Sequence, residues 1–332
     1  MNRISYSRVQ NVNDALHQLA ANNNAKFIAG GTNLLDLMKI NVMQPDHLID
    51  INHIGFNTIT AESDGGLKLG AMVTNADTAY HKEVIRQYPL LSEAMLSAAS
   101  AQLRNMATNG GNLMQRTRCY YFYDTSMPCN KREPGSGCSA IDGYNRMHAI
   151  LGGSAHCIAV HPSDMAVALT ALDAMVCVSG TDAAREIPIT SFYRLPDEDP
   201  HVDNNLGRDE IITGIRLPAS NSSQHYSYLK LRDRPSYAFA LVSVAAALEL
   251  DADHKIIKAR IALGGVAHKP WRIPEIEERL EGKVAGDEIF KEAAEMLLVG
   301  AQGYGYNNFK IELAKRAIVR ALQQAVNKQA EA

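Results

Sequence analysis

The 332-residue chain has a hydrophobic content of 46%, a charged content of 21% and a formal net charge of −3. That length allows two or three domains with real cores, and the near-neutral balance gives no reason to expect a nucleic-acid partner. No apolar run approaches the roughly 18 residues that span a bilayer, and Met1-Asn2-Arg3-Ile4-Ser5-Tyr6 has no apolar signal core, so no export signal of the chain's own is expected; export as the passenger of a signal-bearing partner stays open.

The first element expected is a helix capped by Asn11 or Asn13, with Val12, Ala15, Leu16, Leu19 and Ala20 on one face. A strand, Lys26-Phe27-Ile28-Ala29, runs into Gly30-Gly31-Thr32-Asn33 and a helical stretch from Leu34 to Lys39. Strand, glycine turn and helix can offer backbone amides to a phosphate, although two adjacent glycines are more often only a tight turn. His47 to Ile51 completes a small α/β unit. A strand from Leu67 to Val73 opens a second unit, followed by helices near Asn75 to Glu83 and Pro89 to Leu103. A second glycine pair stands in Thr108-Asn109-Gly110-Gly111-Asn112. Two such loops could clamp a pyrophosphate between them. The single GxGxxG fingerprint is missing, which disfavours a simple Rossmann reading.

Four of the five cysteines then follow in one loop-rich segment, Cys119, Cys129, Cys138 and Cys157, spaced C-x9-C-x8-C-x18-C. Short zinc knuckles and ferredoxin spacing are both absent. Spacing alone leaves a cluster, zinc and unligated thiols open. The basic residues around them, Arg116, Arg118, Lys131, Arg132 and Arg146, are expected to offset thiolate charge and favour ligation. The odd, bunched count argues against a disulfide framework. His148, His156 and His161 lie near the cysteines and could stand behind ligands, but an ordinary structural role is the favoured reading. From Asp164 to Val178 the pattern is a helix entering a strand, in which Cys177 is a buried core thiol.

Glu210 to Pro218 is a further strand, and Asn221-Ser222-Ser223-Gln224 is the best linker candidate. Tyr226 to Lys230, Ala238 to Leu250 and Ile256 to Val266 suggest an antiparallel sheet. Helices follow near Glu275 to Glu281, Asp287 to Val299 and Asn307 to Val326, the last with a core stripe of Ile311, Ala314, Ile318, Ala321, Leu322 and Ala325. No nucleophile–base pair and no HExxH motif is present, and the eleven histidines are scattered, so no catalytic residue is assigned.

Ala29-Gly30-Gly31-Thr32-Asn33-Leu34, Thr108-Asn109-Gly110-Gly111-Asn112-Leu113 and Pro162-Ser163-Asp164, in that order, resemble the FAD-binding subunits of the molybdenum hydroxylases, the xanthine dehydrogenase and aldehyde oxidoreductase family. Lys230, the Ala238 to Leu248 strand and Ala262-Leu263-Gly264-Gly265-Val266-Ala267 look like that family's C-terminal domain. The chain departs in one place. Its 51 residues between Asn112 and Asp164 far exceed the short connection of most members, and they carry the four bunched cysteines. Such an insertion resembles the [4Fe–4S]-bearing flavin subunits of the periplasmic aromatic-aldehyde oxidoreductase and of 4-hydroxybenzoyl-CoA reductase. Arg116-Thr117-Arg118-Cys119, Pro128-Cys129-Asn130-Lys131-Arg132, Pro134-Gly135-Ser136-Gly137-Cys138 and Ala267-His268-Lys269-Pro270-Trp271-Arg272 look closest to the former.

The resemblance implies an α+β chain with a two-subdomain FAD-binding fold of the vanillyl-alcohol oxidase / PCMH type. It places subdomain 1 at 1–60, subdomain 2 at 61–220 with a cluster-binding insertion at 115–160, and a C-terminal domain of antiparallel sheet and helices at 225–328. It implies FAD and a [4Fe–4S] cluster as cofactors. Lys26, Phe27, Ile28, Ala29, Gly30, Gly31, Thr32, Asn33 and Leu34 would form the first pyrophosphate loop, and Thr108, Gly110, Gly111 and Asn112 the second. Asp164 would contact the ribityl or pyrophosphate side, Ile212 would pack on the isoalloxazine, and Lys230 would sit near its polar edge. Cys119, Cys129, Cys138 and Cys157 would hold the cluster. On local pattern alone, Lys230 is a solvated strand lysine and Asp164 a helix cap. The implied role is an electron-transfer subunit. It would receive electrons from a small [2Fe–2S] partner, which takes them from a large molybdenum-cofactor partner bearing the substrate site, and would pass them to an external acceptor. The implied compartment is the periplasm, by co-export, with the cytoplasm as the alternative. Competing readings are a metal-stapled assembly module without a redox role and a stand-alone FAD oxidoreductase.

Overall fold

The computed structural model describes residues 3–181, 183–220 and 223–328; Asn221 and Ser222 of the expected linker lie outside them. The described strands form three sheets. The first is parallel, in the order β1 (Ser5–Arg8), β3 (His47–Asp50), β2 (Ala25–Ile28). The helix Val12–Ala21 makes the crossover, and Asn11 caps it by accepting from the Asp14 N–H at 2.9 Å. Its core joins Ala15, Leu16, Ala25 and Ile49 to Ile211 of the second sheet.

The second sheet runs β4 (Ile59–Ala61), β5 (Leu67–Gly70), β8 (Glu210–Leu217), β6 (Met175–Gly180), β7 (Ala184–Pro188), antiparallel throughout. The helices Pro89–Ser97 and Asp164–Ala171 pack in the same core. Alanines at positions 166, 168 and 171 let the second of them come close to its neighbours. Both long helices expected between Asn75 and Leu103 are broken. The first divides into Asn75–Ala79 and Lys82–Gln87, because the Ser92 hydroxyl takes the Ala79 carbonyl at 2.7 Å. The second stops at Ser97, where Ala99 is left-handed (φ 48°), and Ser100 caps a new turn, Ala101–Arg104.

The third sheet is antiparallel as expected, in the order β11 (Ile256–Gly264), β10 (Val242–Leu250), β9 (His225–Leu231). Side chains alternate across β10. Val242, Val244, Ala246 and Leu248 face the helices Pro274–Leu280, Asp287–Leu297 and Phe309–Asn327, while Ala245 and Ala247 join the core of the second sheet. The C-terminal sheet is thus buried on both faces and welded to the preceding unit.

Candidate cofactor site

The first glycine loop leaves β2 at Ile28 and turns through Gly31 in the left-handed region (φ 71°). A Cβ on Gly30 would lie 1.8 Å from the Met106 carbonyl oxygen, so only glycine allows this loop to touch the approach to the second one. Among the described residues, no backbone N–H from Gly30 to Asn33 donates to another part of the chain. The second glycine pair behaves differently. It forms a short helix, Asn109–Leu113, capped by Thr108. The Gly110 N–H goes to the Ala71 carbonyl at 2.8 Å, Gly111 to the Thr108 hydroxyl at 3.2 Å, and Asn112 to the Thr108 carbonyl at 2.8 Å. The expectation that both loops present free amides therefore holds only for the first. The second loop is a rigid wall, tied to the Ser-Asp motif by the Ser163 hydroxyl donating to Asn112 Oδ1 at 2.6 Å.

Between the loops and the C-terminal sheet lies a cleft of about 450 Å³. Of the expected residues, Thr32, Asn33, Gly111, Asn112, Asp164 and Lys230 line it. Phe27 and Ala29 pack on the first core instead, and Lys26, Ile28, Gly30, Gly31 and Leu34 lead into or out of the loop. Lys26 is exposed, and its ammonium is held below its ordinary value by partial desolvation, then by the cationic Arg116 and Arg208. Thr108 and Gly110 stand behind the lining. Ile212 is placed apart from the cleft, in the core of the second sheet with Ile215 and Leu217.

Asp164 and Lys230 find each other at 2.8 Å with both side chains buried (6% and 4% exposed), which replaces the solvated lysine that local pattern suggests. Lys230 also donates to the Ser97 carbonyl at 3.1 Å, and the Tyr228 hydroxyl to Asp164 at 2.7 Å. The helix cap is Ser163, one residue earlier than Asp164. Three buried donor atoms on cleft residues have no partner among the described residues: Asn33 Nδ2, Arg104 Nε and Arg118 Nε. Unspent donors and a free-amide loop suit a large anionic ligand. Arg104 and Arg118 were missed in the sequence. Arg118 stands in a motif quoted for its cysteine, whereas Arg104 reaches the cleft only because the helix breaks at Ala98.

All four bunched cysteines line one small cavity of about 10 Å³, together with Lys131 and Phe122. Cys129 and Cys138 face each other across an antiparallel bridge. Asn130 shapes the intervening turn, its Oδ1 accepting from Gly135 and Gly137 at 3.1 and 2.8 Å while its Nδ2 donates to the His156 carbonyl at 3.0 Å. Arg132 donates to the carbonyls of Tyr121, Phe122 and Met127, gripping the turn that follows Cys119. Arg116 and Lys131 converge on Asp203 at 2.7 and 2.5 Å, and Arg146 on Asp233 at 2.8 Å. The basic residues are therefore committed largely to holding the insertion. Burial pushes the Cys119 thiol up to about 12 and Cys157 up to about 11, so neighbouring cations do not by themselves free these two thiolates. Ligation has to displace their protons. Among the described residues, no group of three or more His, Cys, Asp or Glu is arranged to hold a single metal ion. The four thiols around this cavity, which His156 also lines, match in number and type the Cys₄ donor set of an iron–sulfur cluster. Cys177 lies elsewhere, buried in β6 against Glu186 at 3.6 Å.

Cys119 also lines a second cavity, of about 90 Å³, with His148. That cavity shares Arg118, Tyr120, Met147, Asp164 and Phe239 with the cleft. Of the four thiols, Cys119 is the one that lines this cavity next to the cleft. His148 Nε2 lies 3.0 Å from Cys119 Sγ. His156 instead pairs with exposed Glu198 at 2.9 Å, and His161 packs on the Tyr193 ring at 4.2 Å between centroids.

Residues 2–220 match the family model described as the FAD binding domain in molybdopterin dehydrogenase, and residues 226–325 match that of the CO dehydrogenase flavoprotein C-terminal domain. The chain is 47% identical over 327 residues to the aldehyde oxidoreductase FAD-binding subunit PaoB of Escherichia coli (strain K12), covering 98% of this chain and 99% of that one. It is 28% identical over 290 residues to the glyceraldehyde dehydrogenase medium chain of Sulfolobus acidocaldarius, covering 87% and 85%. Among solved structures, a chain of the carbon monoxide dehydrogenase from Hydrogenophaga pseudoflava matches with a TM-score of 0.77 and 25% identity over 99% of each chain.

Proposed function

The chain belongs to the FAD-binding subunits of the molybdenum hydroxylases, oxidoreductases of the xanthine dehydrogenase and aldehyde oxidoreductase family, and from that premise we propose that it is the FAD- and [4Fe–4S]-binding electron-transfer subunit of a heterotrimeric aldehyde oxidoreductase. The observation that carries the finer reading is Cys119, which lines the thiol cavity and, through its neighbours Arg118 and Tyr120, adjoins the cleft. When bound, FAD and a cluster supply storage and single-electron release of the electrons that substrate oxidation yields on another chain.

This chain's residues bind and orient. The amides from Gly30 to Asn33, with Asn33 Nδ2, Arg104 Nε and Arg118 Nε, are donors for the pyrophosphate. Gly111, Asn112 and Ser163 form the opposite wall. The Lys230–Asp164 pair sets a buried cation and anion side by side at the cleft, and a cation beside the polar edge of a bound flavin would favour its reduced form. Cys119, Cys129, Cys138 and Cys157 hold the cluster, and Lys131 places its charge beside Cys157. The relatives' names, FAD-binding subunit and medium chain, support an assembly with other chains, and the partners proposed on the family resemblance are a large molybdenum-cofactor subunit and a small [2Fe–2S] subunit. The compartment proposed is the periplasm, reached with a signal-bearing partner, on the resemblance carried by the insertion motifs and Ala267 to Arg272.

Serine substitution of each cysteine, in protein produced with its partners, tests this reading. Cys119→Ser, Cys129→Ser, Cys138→Ser and Cys157→Ser should each lose iron while keeping FAD. Iron unchanged in all four would remove the cluster from the account.

A further inference from the structure

Resting on the cluster reading above, we propose that His148 donates a hydrogen bond from Nε2 to the Cys119 sulfur and thereby raises the reduction potential of the cluster that Cys119 helps to hold. The two atoms are 3.0 Å apart, and His148 is 1% exposed. The other ring nitrogen, Nδ1, is buried without a partner. A neutral imidazole carries one proton, and it goes to the nitrogen that faces an acceptor.

The His148 backbone is held from the C-terminal domain. The His148 carbonyl accepts from Lys310 Nζ at 2.7 Å and from Asn307 Nδ2 at 3.4 Å, and its N–H donates to the Asn145 carbonyl at 2.9 Å. Asn145 is itself tied to the Tyr304 carbonyl at 2.7 Å. The rings of Tyr120 and Tyr121 flank the imidazole at 6.4 and 6.2 Å between centroids. The imidazole therefore rises from an anchored backbone and lies between two tyrosine rings, facing the sulfur. A donor aimed at a ligating sulfur draws charge from the cluster and stabilises its reduced, more negative form. Cys157 takes a backbone donor, the Ala159 N–H at 3.4 Å. His148 is the donor that a substitution can remove. It is a positioning and tuning residue, one step behind the ligand.

The test is an EPR-monitored redox titration of the assembled complex, comparing wild type with His148→Leu and His148→Gln. The leucine variant should keep its iron and FAD but shift its cluster midpoint downward, by about tenfold in the oxidised-to-reduced ratio at fixed potential, equivalent to about 59 mV for a one-electron centre. The glutamine variant, which keeps a donor at similar reach, should recover most of the shift, and the flavin midpoint should not move. Equal midpoints in all three proteins overturn the inference while leaving the cluster in place. Iron-free wild type sinks the cluster reading and this inference with it. If the leucine variant does not assemble, pulsed EPR on wild type carrying isotope-labelled histidine decides. Coupling of the reduced cluster to one histidine nitrogen supports the bond, and its absence overturns it.

Discussion

Replacing Asp203 by alanine should release the cysteine insertion. Its carboxylate takes Lys131 Nζ at 2.5 Å and Arg116 Nε at 2.7 Å, and the Lys131 side chain is 1% exposed. Burial alone would raise the Asp203 carboxyl, but Lys131 and Arg116 overcome it and hold the group well below the usual range. The anchor is therefore present above the unfolded value near pH 3.9 and is lost only as pH falls through the depressed folded value. Without Asp203, Lys131 keeps the Pro200 carbonyl at 2.7 Å and no counter-charge. Breaking a buried pair by removing one partner costs about 3–5 kcal/mol. Asp203 and Arg116 are about a fifth to a quarter exposed, so water returns to part of the site and the lower end, about 3 kcal/mol, is expected. Cys129 is two residues from Lys131, so iron should fall with stability. Urea unfolding and iron analysis measure both. Adding Lys131→Met should recover about 1–3 kcal/mol, because an apolar side chain needs no counter-charge. Wild-type iron with a loss below about 0.5 kcal/mol, or no recovery in the double variant, would refute the reasoning.

Gly30→Ala should lose FAD and about 1–3 kcal/mol of stability, since its Cβ would meet the Met106 carbonyl at 1.8 Å and part the two loops; flavin absorbance and thermal unfolding report it. Lys230→Met leaves Asp164 buried with the Tyr228 hydroxyl, so it should destabilise by about 3–5 kcal/mol and weaken FAD binding, read by flavin retention on gel filtration. Burial lowers His161 to about 3 and His268 to about 4. Below pH 6.5 the unfolded chain binds protons that the folded chain refuses, so stability should fall by about 2.4 kcal/mol from these two groups between pH 6 and 5, measured by urea titration at each pH. Cys177→Ala should leave iron and FAD unchanged and cost about 1 kcal/mol in thermal unfolding.

Local pattern revealed what local chemistry decides. Asn11 caps its helix from a position the sequence marks, and the apolar run from Ala238 to Leu250 marks the strand β10. The short strands β1, β4 and β7 escaped notice because three to five residues carry too little periodicity to stand out. The break before Ala99 was hidden because the Ala- and Ser-rich run reads as continuous helix. The two glycine pairs look alike in sequence, yet only the first keeps free amides, since Ala71 and Thr108 consume those of the second. Asp164 and Lys230 are 66 residues apart, and their pairing is tertiary information. So is the anchoring of Arg116 and Lys131 on Asp203, which leaves the Lys131 charge beside Cys157. The family motifs supplied the cofactor roles that periodicity cannot.

The central claim is that one chain carries a flavin and an iron–sulfur cluster side by side. The most direct test is the visible spectrum, with flavin and iron analysis, of the complex purified without oxygen. The account predicts near-stoichiometric FAD, about four irons assigned to this chain, and a broad visible absorption that bleaches with dithionite and is lost in Cys129→Ser. FAD with no iron beyond that of the partner's centres, or an iron content indifferent to Cys129, would contradict it.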